Sequence, residues 1–199
     1  DMLQTILYEN NLPIRIDVLN IRNYPWHMHD KTIQVVYVLE GEIELKLAYA
    51  RYKLSKSKIH FIHNDDVHGF RGITENNSVV ILSLDIDFFS QYYPDLDTQV
   101  FSSNISGDIA TYKKALLIQS HIVSILSEFH NREFGYEDRL KELSLDLMDV
   151  IYKEFRSFSV ELDTKTFQHE IPYDMLQIDR IGRIISFIYK NYPYKISLS

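Results

Sequence analysis

The chain contains no cysteine. Disulfides, thiol catalysis and cysteine-ligated zinc or iron–sulfur centres are thereby excluded. No apolar run approaches the roughly 18 residues needed to cross a bilayer. Asp1-Met2-Leu3-Gln4 also lacks the basic start and apolar stretch of a signal peptide. A cytoplasmic protein with no membrane partner is the expectation. Basic excess is missing too: 21 Lys and Arg face 28 Asp and Glu, for a formal net charge of −7. A face that grips phosphate needs the opposite sign, so these residues are not expected to bind nucleic acid themselves. What is present is an ordinary globular composition, 45% hydrophobic and 25% charged, with 14 tyrosines and 11 phenylalanines to fill a core. The 199 residues suit one large domain or two small ones.

The front of the chain is strand-rich. Short β-branched and aromatic runs at 12–19, 34–39, 43–49, 59–63 and 78–86 alternate with turn-forming clusters. Glu40-Gly41-Glu42 predicts a tight hairpin and Glu75-Asn76-Asn77 another turn. Strands at this spacing fit a barrel or sandwich better than a parallel sheet with crossover helices. After Pro94 the period changes. Ala115, Ile118, Ile122, Ile125, Leu126 and Phe129 recur at helical spacing, and Gly135 is expected to end that helix. Leu140, Leu143, Leu147, Ile151 and Phe155 form a second stripe, which predicts an antiparallel helix pair. Residues 157–174 read as a linker, and Ile178, Ile181, Ile185 and Ile188 mark a third helix that stops near Pro193.

The most informative stretch is Pro25-Trp26-His27-Met28-His29, followed by Gln34. Histidines at i and i+2 on a strand share a face. His68, in a strand-like segment at 59–70, can bring a third imidazole to the same barrel interior. Such convergence builds either a metal site or a polar ligand pocket.

His27-x-His29, then four residues to Gln34 and six more to Gly41, resembles the first cupin motif, with glutamine where that motif carries glutamate. His68 stands where the second motif places its histidine. Ser57-Lys58 replace that motif's glycine and acidic residue, and Gly72 stands where metal-binding cupins tend to have asparagine. The segment from Ile181 to Ser199, with its Asn191-Tyr192 pair and Ile196-Ser197-Leu198, resembles the opening of an AraC/XylS-type DNA-binding domain. In order, the whole is similar to an AraC-type regulator.

The resemblance implies an α+β fold: a cupin-like β-barrel (jelly roll) at 1–94, an antiparallel helical dimerisation pair at 95–156, a linker at 157–174, and the start of a helix-turn-helix domain at 175–199. It implies a sensor of a small metabolite, sugar-like, that works as a homodimer and meets DNA through a domain beyond Ser199. Effector contact is expected from His27, His29, Gln34 and His68, with Phe70 as a wall, and dimerisation from Leu140, Leu143, Leu147 and Ile151.

No catalytic residue, metal or other cofactor is expected. The carboxylate of a three-imidazole metal site is replaced here by the neutral Gln34, whereas imidazole and amide can both hydrogen-bond hydroxyls. The alternative is a metal-dependent cupin enzyme, an isomerase or dioxygenase, using His27, His29 and His68. Trp26 is expected to face away from His27 and to pack in a core or interface. Arg15 and Arg22 are expected at the solvated surface, and His60, His63, His121, His130 and His169 are given no ligand role.

Overall fold

Alternating apolar residues draw the first half of the chain into eight strands. In the computed structural model these are β1 (Ile14–Leu19), β2 (Asn23–His27), β3 (Thr32–Glu40), β4 (Glu42–Leu47), β5 (Arg51–Ser55), β6 (Ile59–Ile62), β7 (His68–Gly72) and β8 (Ser78–Asp85). There follow α1 (Ile86–Phe89), β9 (Val100–Phe101), α2 (Ile109–Asn131), α3 (Tyr136–Glu154) and β10 (Arg156–Ser157). The structure describes residues 3–48, 50–64, 66–103 and 109–157. The expected linker beyond Ser157, the third helix and the opening of the DNA-binding domain lie outside the described residues.

Two antiparallel sheets, ordered β1-β8-β3-β6 and β2-β7-β4-β5, face each other in the expected cupin-like fold. Val36, Val38, Ile62, Val79 and Ile81 of the first sheet meet Ile43, Leu45, Leu47, Leu54 and Phe70 of the second, forming the barrel core. The intervening residues of the first sheet, among them Ile33, Val35, Phe61, Val80 and Leu82, form a second core with α2 and α3. That sheet is therefore buried on both faces, which explains why β3 and β8 read as nearly continuous apolar runs. The outer face of the second sheet is solvated. There Glu44 pairs with Arg51 at 3.3 Å and Arg71 at 3.4 Å, and Glu42 pairs with Lys53 at 3.1 Å; such exposed pairs add little stability.

A tight turn forms at Glu40-Gly41-Glu42, but it closes no hairpin: β3 pairs with β6 and β8 while β4 pairs with β5 and β7, so the chain crosses from one sheet to the other at Gly41. Its φ of 77° suits glycine, and a Cβ there would come within 2.6 Å of the Asn76 carbonyl oxygen. Asn77 locks the neighbouring bend. Its Oδ1 accepts from Ile21 N at 2.8 Å, and its Nδ2 donates to Ile21 O at 2.7 Å and Thr74 O at 3.2 Å.

Some local readings change. The segment 59–70 is two strands, β6 and β7, which belong to different sheets. Ile86 opens α1 rather than ending β8, because Asp85 caps that turn by accepting from Asp87 N. Gly135, at φ 80°, precedes α3 instead of ending α2, which stops at Asn131. The helices are antiparallel, since Glu128 pairs with Arg139 at 2.8 Å while Lys114 pairs with Glu154 at 3.2 Å. Leu140, Leu147 and Ile151 are fully buried between the first sheet and α2, and Leu143 is half-buried at the edge of that core. These side chains serve the chain's own core. The apolar residues left exposed on the helices include Ile109, Tyr112, Leu116, Leu117 and Val123, all on α2.

Candidate functional site

β2 and β7 are neighbours, and their register sets His27 directly opposite His68. The pairing is irregular between Tyr24 and His27, around Pro25, which has no N–H to give to the ladder. His29 follows two residues beyond His27, past the end of the strand, and still turns to the same side. All three rings are buried, His68 to 1% exposure. Ring centroids lie 4.1 Å apart for His27 and His68, 4.8 Å for His27 and His29, and 5.4 Å for His29 and His68. Each ring offers a nitrogen within 4.8 Å of those of the others. Phe70 stands edge-on to His68 at 5.7 Å. Gln34 projects from β3 on the facing sheet, at the same parity as Val36 and Val38, and is buried. Its Nε2 donates to Ser83 Oγ at 3.0 Å.

Backbone carbonyls fix the tautomers. His27 Nδ1 lies 2.8 Å from Pro25 O, His29 Nδ1 3.0 Å from Gln4 O, and His68 Nδ1 2.8 Å from Asp66 O. A carbonyl can only accept, so each Nδ1 carries the proton and donates it, leaving each Nε2 with its lone pair. Burial lowers the pKa of all three rings, His68 to about 4, so they are neutral near pH 7. The result is a set of inward acceptors. His68 Nε2 and Gln34 Oε1 are buried without any hydrogen-bond partner.

Metal-bound histidines almost always donate their second nitrogen to a carbonyl or carboxylate, which is the arrangement of all three rings here. Three neutral imidazoles with converging lone pairs fit a divalent first-row cation. Among the described residues, no carboxylate joins the three histidines.

The other polar residues take bland places. Trp26 faces outward as alternation requires, but at 40% exposure it is not core; Lys46 Nζ sits 5.4 Å from its ring centroid. Arg15 pairs with Asp17 at 3.1 Å, and Arg22 is exposed. His60 is buried in the barrel beside Tyr52, with ring centroids 4.6 Å apart. His63 accepts from Phe101 N at 2.8 Å and faces Asp66 Oδ2 at 3.4 Å. His121 bonds Leu117 O, His130 sits in the last turn of α2, and His169 lies outside the described residues.

Four contributors were not foreseen: the carbonyls of Gln4 and Asp66, Ser83 beneath Gln34, and Tyr24 edge-on to His27 at 4.7 Å. Only Ser83 left a signal, as the one polar residue in an apolar run at inward parity with Val79 and Ile81.

A family model described as the AraC-like ligand binding domain matches residues 20–116. No curated protein matches the chain. Among solved structures, protein NMB1881 from Neisseria meningitidis is 19% identical with a TM-score of 0.34, over 38% of this chain and 78% of that one. The Cnp3 cupin domain of Schizosaccharomyces pombe is 11% identical with a TM-score of 0.37, over 43% of this chain and 65% of that one. An HTH_3 family transcriptional regulator from Vibrio cholerae is 17% identical with a TM-score of 0.34, over 40% of this chain and 47% of that one.

Proposed function

We propose that this chain, whose residues 20–116 carry an AraC-like ligand-binding domain, is the effector-sensing and dimerising part of an AraC-type transcriptional regulator. The observation that carries the reading is the buried set of acceptors within that domain: the Nε2 atoms of His27, His29 and His68, with Gln34 Oε1 on the facing sheet. A small metabolite, a sugar or related compound, sits against these groups with Phe70 as a wall. Its hydroxyls donate to the imidazoles. The effector acts by binding one arrangement of barrel, helices and reader more tightly than another. The first sheet is the physical link, since it lines the barrel on one face and carries α2 and α3 on the other.

DNA contact belongs to a domain beyond Ser199, in keeping with the net charge of −7 on the residues present. Among the described residues no helix is long and apolar enough to cross a membrane. A homodimer of this chain uses the outer face of α2; the exposure of Ile109, Tyr112, Leu116 and Val123 there at helical spacing supports that choice.

The test is a thermal-shift screen of the 199-residue chain over sugars and small acids, followed by calorimetry. A ligand that raises Tm, and is lost in His27→Ala and Gln34→Ala, supports the reading; catalytic turnover of that ligand sinks it. The His27, His29 and His68 cluster also favours a second reading, a metal-dependent cupin enzyme in which the cation would polarise a substrate oxygen. Turnover is the result that separates the two.

A further inference from the structure

The hydrogen-bond arithmetic around the three histidines narrows what can bind there. The N–H and O–H groups at the cluster are spent. Nδ1 of His27, His29 and His68 each gives its proton to a backbone carbonyl. Gln34 Nε2 gives one to Ser83 Oγ, and the Tyr24 hydroxyl, whose ring stands edge-on to His27, gives its own to Gln4 Oε1. The acceptors are idle: His68 Nε2 and Gln34 Oε1 are buried with no hydrogen-bond partner. A ligand at this place must bring protons.

Geometry says how many. Each ring offers a nitrogen within 4.8 Å of those of the others, so the three surround a single point. A hydroxyl brings one proton to such a point and a water two, whereas a primary ammonium brings three in a tetrahedral fan. With hydrogen bonds of about 3 Å, that fan serves acceptors up to roughly 4.9 Å apart. One ammonium nitrogen can therefore satisfy all three rings.

The field has the matching sign. Burial is the main influence on the rings and holds them neutral; Asp66 acts on His68 in the opposite direction, its carboxylate favouring positive charge at that end of the cluster. An alkylamine, with a pKa of about 10, keeps its proton in the company of such imidazoles. Taking an ammonium out of water is costly unless its N–H groups are all bonded and a negative charge acts on it. The three Nε2 atoms and Asp66 meet both conditions.

We propose that His27, His29 and His68 form a seat for a primary ammonium group, so that the effector is an amine: an amino alcohol or amino-substituted polyol whose neighbouring hydroxyl donates to Gln34 Oε1. This rests on the reading of the barrel as an effector site and narrows its sugar-like class to compounds in which an ammonium replaces a hydroxyl.

The experiment uses the 199-residue chain, stripped of metal with EDTA and held at pH 7. Calorimetry compares probes in pairs that differ by an ammonium for a hydroxyl: ethanolamine against ethylene glycol, and glucamine against sorbitol. Choline supplies the charge without N–H groups. Each amine is expected to bind at least about tenfold more tightly than its neutral partner, because charged donors make the stronger hydrogen bonds. Choline is expected not to compete. In 15N spectra the Nε2 signals of His27, His29 and His68 should move together as glucamine binds. Asp66→Asn keeps an acceptor for His63 N and the backbone carbonyl for His68 but removes the charge. Amine affinity should then fall roughly threefold to tenfold while sorbitol affinity is unchanged. His68→Ala should abolish amine binding; if that variant fails to fold, Asp66→Asn and the matched pairs carry the test.

Equal affinity for glucamine and sorbitol, choline bound as tightly as ethanolamine, or amine binding indifferent to Asp66→Asn would each overturn the proposal, as would binding of neither amine. Sorbitol bound tightly and glucamine not at all would overturn it and leave the sensor reading standing. Release of ammonia from ethanolamine by the chain would sink the sensor reading and leave the ammonium seat intact.

Discussion

Acidification should unfold this protein partly through a histidine that the binding site does not use. His60, 8% exposed, lies inside the barrel against Tyr52. Burial pushes its pKa from 6.5 down to about 4, with His63 pushing the same way and Asp66 opposing. The folded state thus holds the neutral ring and declines a proton that the unfolded chain accepts. Stability from His60 is fully present above the unfolded pKa of 6.5 and is lost as pH falls towards the folded value of about 4. Linkage over that window gives about 2 kcal/mol lost between pH 7 and pH 5. His68 is shifted in the same direction to about 4 and adds its own loss in the metal-free chain. The measurement is accordingly a difference. Urea unfolding of metal-free wild type and His60→Leu at pH 7, 6 and 5 should show the stability gap moving by about 2 kcal/mol in the variant's favour as pH drops. A gap that stays constant across that range would refute the argument, whatever the absolute stabilities.

Asn77→Ala strips the bonds to both backbone groups of Ile21 and should cost about 2–4 kcal/mol in the same urea assay, since buried polar groups lose their partner. Leu147→Ala opens a cavity at a fully buried site and should cost about 2–5 kcal/mol. Its sedimentation behaviour should match that of the wild type. Val123→Asp, on the exposed face of α2, should leave Tm within a few degrees and shift a dimer towards monomer in analytical ultracentrifugation; an unchanged association state would remove that face as the contact. A specific, salt-sensitive gel shift by this chain alone would contradict the placement of DNA contact beyond Ser199, and none is expected.

The strands that alternate or run apolar were readable because one or both of their faces are buried: β3 and β8 line two cores at once. β5 was not, since only Leu54 of Arg51-Tyr52-Lys53-Leu54-Ser55 is buried and the outer residues are charged. The His27, His29 and His68 cluster was legible from alternation and motif spacing. Its tautomers were not, because they depend on the carbonyl of Gln4, which is 25 residues from His29 along the chain. The stripe on α3 revealed an apolar face but not what covers it. Periodicity carries no information about whether a partner is the chain's own sheet or a second copy, and the sheet and α2 turned out to claim Leu140, Leu147 and Ile151.

The double burial of the β1-β8-β3-β6 sheet also limits how the chain can be divided. A gene fragment stopped at residue 94 would keep all eight strands yet leave Ile14, Ile16, Val35, Phe61, Val80 and Leu82 as a broad oily wall facing water. Such a wall invites self-association. The ligand-binding barrel is thus no portable module. Anyone grafting it onto a different domain would need to carry α2 and α3 along, and during synthesis that wall stays bare until the helices have followed it off the ribosome.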